Sequence, residues 1–399
     1  MRGHIVKRYK NSGSWTIVLS LGRDPQTGKR RQQWITVKGT KKDAECELMA
    51  ALSRLDSGTY VKPSKLTLGA YLEQWLDDYA RLNVRPRTYE RYCEIVRKYL
   101  VPALGSIPLT ALKPHHVQSY YSKALVSGRM NGKGGLSAQT VHHYHRLLFE
   151  ALRYAVRHDM LVRNVCEAVD PPRPEYGQRT ITDAQGVKKV LEAVKDTIYH
   201  PIFYTAAHTG LRRSELLALR WQSVDLDFAT LSVTETIHRL RTGEYVFNPP
   251  KSKRSKRNIA LSPSLAILLR EHKAKQHSIM QHLGTHLKDT DLVFCQLDGS
   301  PISPDMVTYT FGQVARRIGL SGLRFHDLRH AHASLMLQQG VSVKLISERL
   351  GHSGVGITLD TYSHVLPGMQ EAAVKKFDEV METAAGNEPA TLFSHTHSP

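Results

Sequence analysis

The chain has 399 residues, 41% of them hydrophobic, and a formal net charge of +19. This length is enough for several domains. The positive charge indicates a polyanionic partner. Nucleic acid is favoured over a membrane surface, because the sequence has no basic amphipathic helix or lipidation motif. The longest apolar runs are too short to cross a bilayer and no basic-then-apolar leader opens the sequence, so we expect a soluble, unsecreted protein. Four widely separated cysteines without a CxxC pair predict neither a disulfide framework nor a zinc cluster.

Residues 1–62 predict a small α+β domain. Segments 13–22 and 31–39 alternate large with small or polar residues, and the Asp-Pro and Thr-Gly pairs between them indicate a hairpin turn. A short strand over residues 4–9 completes a three-stranded sheet, and residues 40–58 have the apolar spacing of a helix. This basic unit is typical of a DNA-docking module, and the alternative is a charged β-meander that only keeps the chain in solution.

Residues 63–172 predict an all-α domain. Pro86 and Pro114 stand where helices begin, and Gly105 and Gly128 stand where helices end. Several helix faces combine Arg, Lys or His with aromatic residues, which suits phosphate contacts and equally suits a solvated surface. A Gly-rich loop, GRMNGKGGLS, lacks the spacing of a P-loop and is interpreted as a flexible connection.

A linker and a third domain follow. Residues 170–182 contain three prolines and a glycine without apolar periodicity, which marks a domain boundary. Residues 173–385 predict a mainly helical domain with a small β-sheet, whose strands are expected at ATLSVTET, EYVFN, RNIAL and a short LVF segment. Residues 386–399 are polar and turn-rich, so we expect them to be disordered.

Four stretches of the third domain carry candidate chemistry: HTGLRRSELLAL, NPPKSKRSKRNIAL, RFHDLRHAHAS and LGHSGVGITLDTY. Each has an ordinary explanation, such as a surface ion pair between Arg212 and Glu215 or a polar helix face for His326 and Arg329. Together they suit attack on a phosphodiester without a metal. Two guanidinium groups can hold the non-bridging oxygens through bidentate hydrogen bonds as negative charge gathers there.

The same stretches supply a nucleophile and proton-transfer groups. An attacking Tyr362 must lose its proton and the departing sugar oxygen must gain one, and His326, His352 and Lys251 can supply the acid and the base. A phosphotyrosine ester conserves the energy of the broken bond, so strands can be rejoined without ATP. The sequence accordingly contains no Walker motif.

The ordered set Arg, Lys, His-x-x-Arg, His and Tyr resembles that of the tyrosine recombinases, the phage integrase family. The motifs span residues from about 180 to 365 and, through the resemblance, imply a set of site residues. These are catalytic Arg212, Lys251, His326, Arg329, His352 and the nucleophile Tyr362, with Glu215 in support. Lys253 or Lys256 takes the place of Lys251 if the turn has a different register.

The resemblance also implies a fold and a function. Residues 1–62 would form an arm-type DNA-binding domain, residues 63–172 a core-binding domain and residues 173–385 the catalytic domain. The implied activity is site-specific recombination that integrates and excises a mobile element through a 3′-phosphotyrosine intermediate, with no metal, ATP or cofactor. The implied partners are double-stranded DNA attachment sites, three further copies of the chain in a homotetramer, an excisionase and a host DNA-bending protein. The implied location is the bacterial cytoplasm, in association with the nucleoid.

Two features near the C-terminus complete this interpretation. The GVGIT segment predicts a flexible approach to Tyr362, which would be presented on a mobile segment. Beyond it, Ala373, Phe377 and Val380 or Met381 have helical spacing, and this helix packs either on a neighbouring subunit or on its own domain.

Three other functions remain as alternatives. A type IB topoisomerase shares the chemistry, although the first domain favours assembly on several DNA sites. A non-catalytic DNA-binding regulator would leave Tyr362 idle. A metal hydrolase built on His326, His330 and the nearby His332 has the least support, since no HExxH motif or pair of carboxylates accompanies these histidines.

Overall fold

The computed structural model describes residues 3–7, 13–23, 27–56, 65–174, 183–250, 255–362, 374–375, 377–379 and 381. The chain divides into two compact units, Met1–Gly177 and Gln178–Pro399, each of which is described by itself. Within the described ranges, no helix combines the length and the apolar composition that crossing a membrane requires.

The first unit begins with an antiparallel sheet and a helix. The strands are β1 (Gly3–Val6), β2 (Ser14–Arg23) and β3 (Arg30–Lys38), in the order β1-β2-β3, followed by α1 (Lys41–Asp56). In the central strand β2, Ile17 faces Ile5 on one side and Ile35 on the other. Ile17, Leu19 and Ala51 form a separate small core between sheet and helix. The predicted sheet with a helix is confirmed.

The rest of this unit is helical. Its elements are α2 (Leu68–Trp75), a π-helical turn (Leu76–Ala80), α3 (Arg81–Asn83), α4 (Pro86–Ile95), a second π-helical turn (Val96–Leu100), α5 (Val101–Leu104), a 3₁₀ turn (Leu109–Ala111), α6 (Pro114–Ser127), α7 (Ala138–Arg157) and a 3₁₀ turn (Val165–Ala168). The predicted starts at Pro86 and Pro114 are confirmed, because proline lacks the N–H that a first helical turn cannot use. Buried residues such as Trp75, Tyr121 and Leu148 form one apolar core.

The second unit contains eight further helices and five strands in its described residues. These are α8 (Ala184–Glu192), α9 (His200–Thr209), α10 (Arg213–Leu216), a 3₁₀ turn (Trp221–Ser223), β4 (Val224–Asp225), β5 (Thr230–Val233), β6 (Thr236–Arg239), β7 (Tyr245–Asn248), β8 (Arg257–Ala260), α11 (Pro263–His282), α12 (Pro304–Arg317), α13 (Asp327–Gln338), α14 (Val343–Leu350) and α15 (Val355–Tyr362).

The strands of this unit form two small antiparallel sheets, one of order β4-β5-β8 and one hairpin of β6 and β7. The expected LVF strand is wrong. Leu292 makes only an isolated bridge with Arg220, and the apolar run arises because Leu292, Val293 and Phe294 are all buried in the core.

Two glycines end the helices that frame the candidate site. Gly210 follows α9 with φ of 66° and Gly351 follows α14 with φ of 65°, conformations that favour glycine. A Cβ atom at Gly210 would lie 2.8 Å from the ring of His332, and one at Gly351 would lie 2.7 Å from the guanidinium of Arg257. The helix end predicted at Gly351 is confirmed, and both turns allow close packing of side chains on the backbone.

Candidate active site

Arg212 and Arg329 meet at the end of α14. The Arg329 guanidinium donates from Nη2 to the carbonyl oxygen of Leu350 at 2.7 Å, and Arg212 donates from Nη2 to that of the next residue, Gly351, at 3.0 Å. Arg329 also donates to the carbonyl oxygen of Gly210 at 2.7 Å. The structure therefore brings together two arginines that are 117 positions apart in sequence numbering. Each guanidinium has five N–H donors, so these contacts leave donors for a further acceptor.

Glu215 orients Arg212 through two hydrogen bonds. Its Oε1 accepts from Arg212 Nη1 at 2.7 Å and its Oε2 accepts from the Arg212 backbone N–H at 3.0 Å. Oε2 also accepts from Arg257 Nη2 at 2.9 Å. Burial raises the pKa of Glu215, but the hydrogen bond from Arg257 and the charges of Arg257 and Arg212 outweigh it and hold that pKa below its ordinary value. The carboxylate is thus ionised and fixed between two cations.

Arg257 is a member of this cluster that the sequence did not reveal. It donates from Nε to the carbonyl oxygen of Arg349 at 2.6 Å and from Nη1 to that of Ser255 at 3.0 Å. Arg257 stands in a run of similar Lys and Arg residues, so composition could not single it out. The alternation within β8 carries a usable signal, since Arg257 and Ile259 lie on one face of the strand and Ile259 is buried.

Three histidines surround the arginines with different partners. His326 is the N-cap residue of α13, and its ring stands edge-on to that of His330 with centroids 5.1 Å apart. Burial, followed by His330 and Arg329, lowers the pKa of His326 to about 4. Burial, followed by the charges of Arg329 and Arg212, lowers the pKa of His352 to about 4. Both imidazoles are therefore neutral near pH 7.

Burial, followed by the charge of Arg212, also lowers the pKa of Arg329 to about 9, which leaves its guanidinium protonated at neutral pH. Burial and the charges of neighbouring arginines thus disfavour positive charge on His326, His352 and Arg329. Such a convergence of positive potential favours an anion.

Tyr362 lies at the end of α15 and is 1% exposed. Its hydroxyl is 2.8 Å from Nδ1 of His330, and its ring packs in a small apolar cluster with Leu337 and Ile346. The structure places Tyr362 and most of the GVGIT segment within α15, whereas the presentation of Tyr362 on a mobile segment stays a prediction. Residues from Val355 are helical, because Thr358 and Tyr362 lie one turn apart and bury the same face of α15.

The remaining predicted residues have different outcomes. Lys251 and Lys253 lie outside the described residues, and so do Ala373 and Val380. Lys256 is exposed and directly precedes β8. His332, the third histidine of the metal hypothesis, instead contacts the carbonyl oxygen of Ala207 and accepts from Arg349 Nε. Among the residues that the structure describes, no group of three His, Cys, Asp or Glu side chains is arranged to hold a metal ion.

Glu215→Gln is expected to destabilise the second unit by about 3–5 kcal/mol at neutral pH, because it leaves Arg257 buried without its counter-charge. The folded-state pKa of Glu215 lies below the ordinary value of 4.5, so this contribution is present above pH 4.5 and is lost as the pH falls through the folded value. Urea unfolding at several pH values measures it. The control Glu192→Gln removes an exposed ion pair with Lys195 and should change stability by less than about 1 kcal/mol. Equal effects of the two changes at neutral pH would contradict the role of Glu215.

The chain is similar to known proteins over most of its length. The phage integrase family matches residues 181–369, and the N-terminal SAM-like domain of phage integrases matches residues 67–125. A protein of Caldanaerobacter subterraneus subsp. tengcongensis named tyrosine recombinase XerC-like is 29% identical over 384 residues, covering 92% of this chain and 96% of that protein. The ICEBs1 integrase of Bacillus subtilis is 26% identical over 379 residues, covering 94% of this chain and 100% of that protein.

Solved structures resemble the fold. The integrase of transposon Tn1549, in complex with a circular intermediate DNA, gives a TM-score of 0.65 at 19% identity over 78% of this chain and 99% of that chain. A lambda integrase dimer bound to a COC′ core site gives a TM-score of 0.56 at 20% identity over 88% of this chain and 93% of that chain.

Fold, site and relatives together define a DNA strand-transferring enzyme. The chain belongs to the phage integrase family, the tyrosine recombinases. Its activity is site-specific recombination by an integrase.

Proposed function

We propose that this recombinase cleaves DNA by attack of Tyr362 on a backbone phosphate that Arg212 and Arg329 hold. The meeting of Arg212 and Arg329 at the end of α14 carries this proposal, because both guanidinium groups bind adjacent carbonyl oxygens there and keep N–H donors for a phosphate. A phosphate placed there relieves the repulsion among these groups. Its negative charge grows in the transition state, when the arginine donors are most effective.

The proposed step transfers one phosphoryl group. The Tyr362 oxygen forms a bond to phosphorus while the bond from phosphorus to the 5′ oxygen breaks, which leaves a 3′-phosphotyrosine ester. The departing oxygen takes a proton from Lys251, or from Lys253 or Lys256. His326 and His352, neutral at pH 7, donate or accept hydrogen bonds rather than supply charge. Attack by a 5′ hydroxyl of another strand reverses the step and joins the new partner without ATP.

The burial of Tyr362 requires that α15 moves before this attack. Only Thr358 and Tyr362 are buried along this helix, whereas Val355, Ile357 and Leu359 are each more than a third exposed. His352 contacts Thr358 Oγ1 at 2.7 Å, so one histidine joins the turn after α14 to this helix. With so little surface buried, a shift of α15 sacrifices few contacts.

We further propose that the chain acts on double-stranded attachment sites as a homotetramer and so integrates and excises a mobile element. A lambda integrase tetramer bound to a Holliday junction is among the similar structures, with a TM-score of 0.54. Residues 1–62 would bind arm-type sites, residues 63–172 core sites, and residues 173–385 would catalyse. An excisionase and a host DNA-bending protein would set direction and DNA shape, in the cytoplasm of the bacterial host.

Recombination between two attachment sites tests this function. The sites would be obtained by sequencing the DNA that flanks the coding region and searching it for direct and inverted repeats. Purified protein is expected to exchange strands between two labelled duplexes without ATP and in the presence of EDTA, and sites with mutated repeats provide the control. Relaxation of supercoiled DNA without any recombinant product would support a type IB topoisomerase instead. Binding without either product would support a regulator.

A further inference from the structure

We infer that His330 is a catalytic residue that takes the proton of the Tyr362 hydroxyl during cleavage and returns it during rejoining. This inference rests on the proposed role of Tyr362 as the nucleophile. The contact that supports it is the 2.8 Å distance between His330 Nδ1 and the tyrosine oxygen, both of which are buried. A general base must lie within about 2.6–3.2 Å of the proton-bearing atom, and this pair meets that requirement. Because α15 moves before the attack, the inference requires that its shift uncovers the tyrosine oxygen and keeps this contact.

The position of His330 on α13 supports the assignment. It directly follows Arg329, so one helix supplies a phosphate ligand and a proton acceptor side by side. The rings of His330 and Tyr362 have centroids 5.6 Å apart and are inclined at 56°, so the two side chains approach through their polar edges rather than by stacking. Because the His330 side chain is buried, its imidazole is already held in place, so little conformational entropy is lost when it is positioned for the proton transfer.

Two histidines near His330 are neutral when the proton moves to it. His326 on α13 and His352 after α14 both interact electrostatically with His330, and both have a pKa lowered to about 4. A proton transferred to His330 therefore meets no second imidazolium. A phosphate held by Arg212 and Arg329 adds negative charge nearby, which stabilises the protonated imidazole.

The proton balance of the step is complete. In the reactive tautomer, His330 carries its proton on Nε2 and accepts the tyrosine hydroxyl proton at Nδ1. As that proton moves, the tyrosine oxygen bonds to phosphorus and the 5′ oxygen departs with a proton from the lysine. In the reverse step, the attacking 5′ hydroxyl returns its proton to the lysine as its oxygen bonds to phosphorus, and the tyrosine oxygen leaves phosphorus and recovers its proton from His330.

Single-turnover cleavage of a nicked suicide substrate tests this inference. His330→Ala is expected to form the covalent adduct about 10²–10⁴-fold more slowly than the unchanged protein, with similar affinity for the intact site. Added imidazole should restore part of the rate, since it fills the cavity and can accept the proton. His330→Asn, which can accept a hydrogen bond but not a proton, should stay slow.

A matched control is His332→Ala, which removes a buried histidine two positions further along α13 that contacts Ala207 and Arg349. Imidazole should not raise its rate. If His330→Ala forms the adduct as fast as the unchanged protein or faster, His330 only holds the buried tyrosine and the inference is wrong. A slow rate that imidazole does not raise indicates a packing role and also overturns it. Absence of an adduct with the unchanged protein, or its persistence after Tyr362→Phe, overturns the proposed function itself.

Discussion

Arg329→Ala is expected to lower the rate of DNA cleavage by at least about 10²–10³-fold while changing DNA affinity little. Loss of one preorganised donor to a developing anion has an effect of this size. Affinity depends on many phosphate contacts along the duplex, so the loss of one cation has little influence on it. Single-turnover cleavage and a binding titration at fixed salt measure the two quantities separately.

The structure requires a stability control for this variant, since Arg329 also binds the carbonyl oxygens of Gly210 and Leu350. Arg349 makes three comparable contacts, with His332, Ala260 and His208, and takes no part in the proposed chemistry. Arg349→Ala should therefore lose stability but retain cleavage at a temperature where it is folded. Equal cleavage by the two variants, compared at equal folded fraction, would contradict the phosphate-binding role of Arg329.

Arg329→Lys separates charge from geometry. Lysine keeps the positive charge but lacks the planar fork that binds two acceptors at once. We expect this variant to bind DNA as the unchanged protein does and to cleave it slowly.

Much of the fold follows from local signals. Pro86 and Pro114 begin helices because of the chemistry of the proline ring, and Gly351 ends α14 because its positive φ suits glycine. Alternation near the N-terminus predicted the sheet because alternate residues of β2 and β3, Ile17 with Leu19 and Ile35 with Val37, pack in one core with α1. The LVF segment shows the limit of such signals, since a short buried apolar run does not distinguish a strand from irregular core structure.

The candidate site also has parts that local spacing predicts and parts that depend on long-range packing. Arg212 with Glu215, three positions apart, and His326 with Arg329 could be paired from local spacing alone. Their meeting at the end of α14 depends on long-range packing, which only the family resemblance anticipated. Arg257 escaped prediction because several Lys and Arg residues surround it in sequence.

The burial of Tyr362 could not be predicted either. Its apolar neighbours Leu337 and Ile346 come from α13 and α14, so its own segment gives no sign of the pocket. The contact with His330 also depends on this packing of α15. The sequence showed His330 only as one histidine in a group of three.

Trapping of a covalent protein–DNA complex tests whether Tyr362 is the nucleophile that bonds to phosphorus. The unchanged protein, incubated with a nicked attachment site, should form an adduct whose nuclease-trimmed peptide carries nucleotide on Tyr362. Tyr362→Phe should form none, because phenylalanine has no oxygen to attack, and it should still bind the site. The chain has 17 tyrosines, so the peptide map is decisive. A nucleotide on any other residue, or an adduct that survives Tyr362→Phe, would show that Tyr362 is not the nucleophile.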